Sequence, residues 1–407
     1  MEHFPQGCRL AMLGPSRPSA AALLALEHGL RDDPDATPGL SHLLEHLLLS
    51  ENGTPTPASL TPFGQTTPEL LVLGSECEPD AIQTLIGFLM DRLNALSDLS
   101  TDDLRHELTR IEAESASSAS RPRMLHDLHE LAFAGHPLAR SCDEPMHPLF
   151  QTETDATALL EHVRKLARAA PRYMVVSGCT ESAVRDRIEQ WLPDAAAVPP
   201  PDRNLPLWPR IQLLTRTAPD HVYVGIGIPT AGWDSAHMTS DALLTSLLFA
   251  DPWSLGARAL RRDAPWIYEI GARWCRYQGI GLHTVEIVSE RPALDVLQAL
   301  ATCLRNLMLE LRDPGRLQYA LERQRHLAAL TRASALGSAG LALTELRRVA
   351  LQTGTVRAPP AETETIARPV SNPDLAIPDR TLGRLLRALV RIADGLDRHA
   401  YRLRIGC

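Results

Sequence analysis

Apolar residues recur along the first half of the chain with spacings that predict both strands and helices. Apolar runs over 8–13 and 20–28 read as two strands around a turn that contains Gly14 and Pro18. Helical spacing follows over 38–53 and again from about residue 100, where leucines and an isoleucine form one apolar stripe. Further predicted elements are a strand over 69–73, a helix over 79–96, a helix near 153–169 and a strand over 173–179. The pattern therefore predicts a mixed helix and strand fold.

The second half repeats this plan after a proline-rich stretch. We place a linker at 196–207, which separates a first domain, 1–195, from a second, 208–407. A predicted strand over 221–228 leads into a predicted helix near 236–249, and the last residues, 401–407, resemble the strand that closes the first half. The sequence thus indicates two tandem, related units.

Composition and charge narrow the classes of function. The 407 residues are 44% hydrophobic and 22% charged, and their net charge of −8 argues against a nucleic-acid partner. No apolar run is long enough to cross a membrane, and no secretion signal is visible at the N-terminus. The seven cysteines are scattered without a C-x-x-C pair, which favours a reducing, cytoplasmic location.

The helix over 38–53 carries candidate metal chemistry. His42 and His46 stand four residues apart, so both imidazoles lie on one helix face, and Glu45 stands beside them. Two incidental histidines would be the simpler explanation, but the order H-x-x-E-H is the signature of inverzincin metallopeptidases. Boundary signals for this helix are Thr37 as N-cap, Pro38 in the first turn and Asn52-Gly53 at the end.

A second helix offers carboxylates to complete such a site. It begins with a capping box formed by Ser100 and Asp103, and its residues Glu107 and Glu114 project from one side because they are two turns apart. A catalytic zinc commonly takes three protein ligands, so two histidines need one more donor. A solvated acidic face remains the alternative, since Glu112 is also present.

Together these motifs resemble the insulinase, pitrilysin and mitochondrial processing peptidase family of zinc peptidases. The similar run starts at Arg31-Asp-Asp-Pro, continues through H-x-x-E-H and resumes at E-x6-E. The resemblance implies Zn²⁺ bound by His42, His46 and Glu114, with Glu107 in support. It also implies an α+β fold of two tandem α/β-roll domains, each an antiparallel-rich sheet covered by helices.

Two further stretches are similar to the family. His136-Pro137 and Arg140 match an H-P-[LY]-G-R type element, and the nearby His126 and His129 are expected at the surface rather than as ligands. In the second half, the stretch from Leu260 to Tyr268 is similar to L-R-E-x-x-G-L-A-Y. The resemblance implies that Arg261 and Tyr268 contact the substrate; an ordinary helix-to-strand junction is the alternative.

The predicted reaction is hydrolysis of peptide bonds by a zinc-activated water, with Glu45 as general base. The family's N-A-x-T segment lies beside the strand that receives substrate. This sequence has no clear counterpart of it, and the most similar stretch is Gly64-Gln-Thr-Thr67. Because family members with a complete chamber use four units, we expect a homodimer or a heterodimer with a related half-size subunit. Precursor or leader peptides are possible substrates. A non-catalytic scaffold subunit is the competing interpretation, and a zinc hydrolase of other substrates is a third.

Overall fold

The structure is a computed structural model with two compact units, and only part of the chain is described. The described residues are 2–3, 8–14, 18–50, 55–118, 124–140, 153–179, 184, 188, 211–235, 238–353 and 379–405. The first unit contains the described residues within 1–121, 140–202 and 329–371. The second contains those within 122–139, 203–328 and 372–407.

The first unit is built on a six-stranded sheet. Its strands are β1 (Glu2–His3), β2 (Cys8–Leu13), β3 (Ala20–Leu26), β4 (Phe63–Thr66), β5 (Leu71–Cys77) and β6 (Arg172–Ser177). The strand order is β1-β2-β6-β3-β5-β4, in which β2 and β6 run parallel and the other neighbours are antiparallel. The short strand β4 therefore lies at one edge of the sheet.

Helices of the first half cover one face of this sheet. They are α1 (Leu40–Leu49), α2 (Ile82–Ala95), α3 (Thr101–Ser118) and α5 (Glu153–Ala169). Leu24 and Leu26 of β3 point into this core together with Leu44 and Leu48 of α1. Burial of these leucines fixes α1 against the sheet, because each buried side chain contributes roughly 1.5–3 kcal/mol. The polar residues of α1 are thereby left outside this core.

A distant helix covers the opposite face of the same sheet. This helix, α10 (Ala335–Thr353), packs Leu343 and Leu346 against Leu23 of β3 and Val175 of β6. Because side chains of a strand alternate between the two faces, strand β3 is buried on both sides. That explains why its sequence is a continuous apolar run rather than an alternating one.

The second unit contains a four-stranded antiparallel sheet. Its strands are β7 (Gln212–Thr217), β8 (Val222–Thr230), β9 (Ile267–Arg276) and β10 (Gly281–Ser289), in the order β7-β8-β10-β9. Its remaining helices are α6 (Met238–Leu248), α7 (Leu255–Asp263), α8 (Ala293–Glu310), α9 (Pro314–Ala333) and α11 (Asp379–Ile405). Leu244, Leu260, Leu300 and Leu396 share one core with strand residue Ile287.

Helix α4 (Met124–Ala132) belongs to this second unit although it comes early in the chain. Its Leu128 packs so closely on β8 that a Cβ at Gly225 would lie 2.7 Å from the leucine side chain. His129 is buried and its Nε2 lies 2.7 Å from the Tyr277 hydroxyl. The expected surface position of His129 is therefore wrong, because the helix turns this residue toward a sheet that sequence reasoning did not pair with it.

The predicted fold class is confirmed: two antiparallel-rich sheets are each covered by helices. The strand predicted over 401–407 is wrong, because residues 401–405 continue helix α11. The apolar spacing of Leu389, Ile392 and Leu396 is helical and extends to Ala400. The division at 196–207 stays a prediction, because that linker lies outside the described residues. None of the described helices is long and apolar enough to span a bilayer.

Candidate metal centre

An aspartate before α1 sets the position where this helix begins. Asp33 is buried, and its carboxylate accepts hydrogen bonds from the backbone N–H groups of Gly39 and Ser41, at 3.0 Å each, and from the Ser41 hydroxyl. Gly39 has φ of 84°, a left-handed conformation that favours glycine. The expected N-cap Thr37 is thus wrong: the carboxylate of Asp33 satisfies the first N–H groups of the helix instead.

The three candidate metal ligands converge. The Nε2 atoms of His42 and His46 are 3.2 Å apart, and His46 Nε2 lies 3.5 Å from Glu114 Oε2 on α3. One donor atom from each residue lies within 4.8 Å of the others. Ligand atoms around a tetrahedral zinc, at Zn–N distances of 2.0–2.1 Å, are separated by roughly 3.3 Å. Two imidazoles and one carboxylate also match the donor set of catalytic zinc, so these residues fit the ion that the sequence predicts.

A buried carboxylate orients one of the histidines. Glu107 is 1% exposed, and its Oε2 lies 3.3 Å from Nδ1 of His46. Its two oxygens also accept hydrogen bonds from Arg110, at 3.1 Å each. Because a carboxylate only accepts, neutral His46 carries its proton on Nδ1 and presents the lone pair of Nε2 to the metal position. Glu107 therefore lies behind the histidine, while Glu114, with a side chain 58% exposed, reaches the front.

Glu45 lies between α1 and the edge strand β4. Thr66 on β4 donates its hydroxyl to Oε2 of Glu45. On the same strand, a Cβ built on Gly64 would lie 2.5 Å from Cγ and 2.7 Å from Oε1 of the same glutamate. Strand β4 therefore holds the Glu45 carboxylate through the hydrogen bond from Thr66, and Gly64 leaves the space that the carboxylate needs.

This arrangement involves the Gly64-Gln-Thr-Thr67 segment, the expected counterpart of the N-A-x-T segment. Strand β4 contains its first three residues, and two of them, Gly64 and Thr66, adjoin Glu45; the correspondence to the family pattern stays a prediction. The signal was present in the sequence, but the register of β4 against β5, with Gly64 opposite Leu73, decides which threonine meets Glu45.

The partly buried Arg140 supports the loop that leads into α1. Arg140 donates to the carbonyl oxygens of Leu30, Arg31 and Asp33 and to the Asp35 carboxylate. Arg140, which is similar to the arginine of the family element, thus has a structural role: it satisfies carbonyl groups of the loop that carries Asp33.

A second arginine, Arg347 of α10, comes from far along the chain. It donates to both oxygens of Glu27, at 2.6 and 2.9 Å, and to Glu69 at 3.1 Å. Glu69 in turn pairs with Arg31 at 2.5 Å. Burial alone would lower the pKa of Arg347, but the facing carboxylates raise it above its usual range, so the guanidinium stays charged. Sequence reasoning missed this residue because nothing local marks its partners.

Arg261 and Tyr268 belong to the second unit, whereas the candidate metal ligands belong to the first. Tyr268 is 53% exposed; its hydroxyl contacts the Glu290 carboxylate, which raises the pKa of the phenol, and its ring lies 5.2 Å from His221. Arg261 lies on α7, on the wall of an open pocket. Within the described residues no hydrogen bond joins the two side chains. Their role toward a substrate stays a prediction.

Comparisons with known proteins give a sequence family for part of the chain and a fold for nearly all of it. Residues 12–146 match the sequence model of the insulinase family, peptidase family M16. That stretch contains both candidate ligand helices. No curated protein matched the sequence of the chain.

Three solved structures share the fold over almost the whole chain. A protease from Helicobacter pylori superposes with a TM-score of 0.71 at 13% identity, covering 96% of this chain and 94% of that one. An M16-like peptidase from Alicyclobacillus acidocaldarius gives 0.67 at 15% identity, with coverages of 97% and 94%. A chain in a structure of complex III2 from Candida albicans with Inz-5 bound gives 0.64 at 12% identity, with coverages of 97% and 91%.

Proposed function

We propose that the chain is a zinc metallopeptidase of the insulinase family, whose sequence model residues 12–146 match. Its substrates would be small or unfolded peptides, among them precursor or leader peptides. The observation that carries the proposal is the convergence of His42, His46 and Glu114 beside a Glu45 that β4 holds in place.

Each residue has a separate task in this proposal. His42, His46 and Glu114 would hold the ion, and Glu107 keeps His46 in the tautomer that can bind it. A zinc ion supplies Lewis acidity, which lowers the pKa of water to about 7 and polarises a carbonyl group. Glu45 accepts the proton of the attacking water and donates it to the amine that leaves.

The edge position of β4 supports an extended peptide as substrate. Among the described strands, β4 pairs with β5 alone, so its outer edge can form main-chain hydrogen bonds with an added strand. A peptide bound there would run past Glu45, because Gly64 and Thr66 of this strand contact that carboxylate. The backbone would then provide affinity without a fixed side-chain sequence.

A partner subunit and a cytoplasmic location complete the proposal. Relatives with four units enclose a chamber, so we propose that two copies, or this chain and a related half-size subunit, associate to form one. Cys77, Cys179, Cys275 and Cys303 are free thiols, which supports a reducing compartment.

One observation favours a second candidate function. The fold is also that of a chain in the complex III2 structure, so a non-catalytic scaffold subunit is the alternative. The two candidates differ in metal content, because a scaffold has no need of a stoichiometric zinc ion.

The test combines metal analysis with peptide hydrolysis. In Glu45→Gln we expect zinc content to stay stoichiometric while cleavage of a peptide library falls by about 10²–10⁴-fold, since the proton acceptor is lost. In Glu114→Gln we expect zinc loss. Glu112→Gln, an exposed position on the same helix, is the matched control and should change neither quantity.

Two outcomes would contradict the proposal. A Glu45→Gln variant that binds zinc and cleaves as fast as the parent would remove the general base from the mechanism. A parent chain that neither retains zinc nor cleaves, alone or mixed with related subunits, would favour the scaffold.

A further inference from the structure

The second unit contains an open pocket of about 390 Å³ that is rich in arginine. Four arginines line it, with one glutamate and one tryptophan: Arg258, Arg261, Arg262, Arg316, Glu310 and Trp253. Trp253 lies just before α7, and the other residues come from α7, from the end of α8 and from the start of α9. Such a concentration of positive charge contrasts with the net charge of −8 for the whole chain.

Most of this charge is not neutralised by neighbouring carboxylates. Arg262 pairs with Asp263, at 2.8 Å, and Arg258 lies 3.5 Å from the hydroxyl of Tyr319. For Arg261 and Arg316, no carboxylate of the described residues lies within ion-pair distance. An anion entering the pocket would therefore be attracted and could receive several hydrogen bonds.

Trp253 gives the same pocket an apolar surface. Its side chain is 67% exposed, the highest value among the exposed large hydrophobic residues of the described chain. Exposed tryptophan beside arginine is typical of binding sites, because both residue types contribute strongly when a partner covers them. The ligand should accordingly combine acidic groups with an apolar part.

Glu310 distinguishes among anions. Its carboxylate would repel a compact polyphosphate, whose charge is concentrated, but it can accept hydrogen bonds from the backbone N–H groups of a peptide. The pocket thus offers many donors, one acceptor and an apolar wall, which are the features that an acidic peptide can match.

We propose that this pocket binds an acidic segment of a peptide, with carboxylates on Arg258, Arg261 and Arg316 and an apolar side chain over Trp253. The choice of a peptide over another organic anion rests on the proposed peptidase function. Binding itself requires neither metal nor catalysis, so the pocket can be tested independently.

The experiment measures binding to the full chain carrying Glu45→Gln, which prevents hydrolysis of the probe. A fluorescent twelve-residue peptide of alternating Glu and Leu or Ala is titrated by anisotropy, beside the same peptide with Gln in place of Glu. We expect at least tenfold tighter binding of the acidic peptide, and a smaller difference at high salt because screening weakens exposed charge interactions.

Three variants localise the binding. Arg258→Gln combined with Arg316→Gln should reduce the preference for the acidic peptide to below threefold. Arg391→Gln, an exposed arginine on α11 outside the pocket, is the control and should leave it unchanged. Glu310→Gln keeps an acceptor but removes a negative charge, so acidic binding should tighten by about threefold. A gain of affinity cannot come from misfolding, which keeps the proposal testable if the arginine variants are unstable.

Equal affinity for the two peptides, or an undiminished preference in the double arginine variant, would overturn the proposal. Tighter binding of inorganic tripolyphosphate than of the acidic peptide would assign the pocket to phosphate and overturn it as well. Zinc content and hydrolysis by the parent chain judge the proposed function separately, so failure of one can be told from failure of the other.

Discussion

At the scale of single residues, the Glu45 side chain occupies space that is free only because Gly64 has no side chain. Gly64 has ordinary strand neighbours, yet a Cβ there would collide with Cγ and Oε1 of Glu45 and with Leu49. The Thr66 hydroxyl holds the other carboxylate oxygen. Position and hydrogen bonding of the proposed general base are therefore both controlled from β4.

We expect Gly64→Ala to reduce peptide hydrolysis by about 10–100-fold, because the added methyl group would displace the Glu45 carboxylate from the position in which it accepts the proton of water. Zinc content should stay at the parental level, since no ligand contacts Gly64 in the candidate set. The measurements are kcat/KM on a cleaved peptide and metal analysis. Gly14→Ala, where a Cβ meets nothing within 4 Å, is the control. Parental kcat/KM in Gly64→Ala would show that the contact has no effect on the reaction.

At the scale of secondary structure elements, helix α10 is bound to the first sheet by charge as well as by apolar packing. Arg347 reaches Glu27 at the end of β3 and Glu69 just before β5, and the side chains of Arg347 and Glu69 are only 7% and 3% exposed. A buried pair of this kind costs desolvation free energy, and its loss leaves uncompensated charge. The network therefore specifies where α10 docks.

We expect Arg347→Met to lower the free energy of unfolding of the first unit by roughly 3–5 kcal/mol, because Glu27 would lose its ion pair and the buried Glu69 would keep only Arg31 as a charged partner. Adding Glu27→Gln and Glu69→Gln should restore part of the loss. Urea denaturation followed by circular dichroism measures both effects. Leu341→Ala, at an exposed position of the same helix, should change stability little. If the triple variant were less stable than Arg347→Met, buried charge would not explain the loss.

At the scale of the whole molecule, each half of the chain supplies its own sheet, but each compact unit also takes a helix from elsewhere in the sequence. Helix α10 covers the first sheet and α4 the second. Both units therefore depend on chain segments that are remote from their strands. The stability of each unit can be tested by changing buried groups that belong to that unit and measuring its free energy of unfolding.

For the second unit, buried histidines predict sensitivity to acid. Burial lowers the pKa of His129 and of His283 to about 4, with His126 and Arg273 adding repulsion at His129. The unfolded chain, with histidine pKa near 6.5, binds protons that the folded unit excludes. Stability is therefore complete above about pH 6.5 and falls as the pH drops toward 4, by roughly 3 kcal/mol for each histidine.

Urea titrations at pH 7 and pH 4.5, followed by tryptophan fluorescence, measure this loss, since Trp233, Trp266 and Trp274 lie in the second unit. His283→Leu should lose less stability between the two pH values than the parent, because one proton acceptor is removed. An identical loss in parent and variant would show that His283 does not contribute to the acid sensitivity.

The sequence alone determined the features that local periodicity controls. In α1, the i, i+4 spacing places His42 and His46 together, and in α3 two turns place Glu107 and Glu114 on one side. Helical geometry fixes these relations within a few residues, so the motif could be read before any fold was known. The mixed fold class followed from the same periodic patterns.

Only the tertiary structure decided which distant groups meet. The register of β4 selects Thr66 and Gly64 as neighbours of Glu45, and the docking of α10 brings Arg347 to Glu27 across 320 residues. Asp33 replaces the expected cap of α1, and His129 is buried against Tyr277. Such contacts depend on closing long loops and on burial against surfaces formed elsewhere, and no local spacing encodes them.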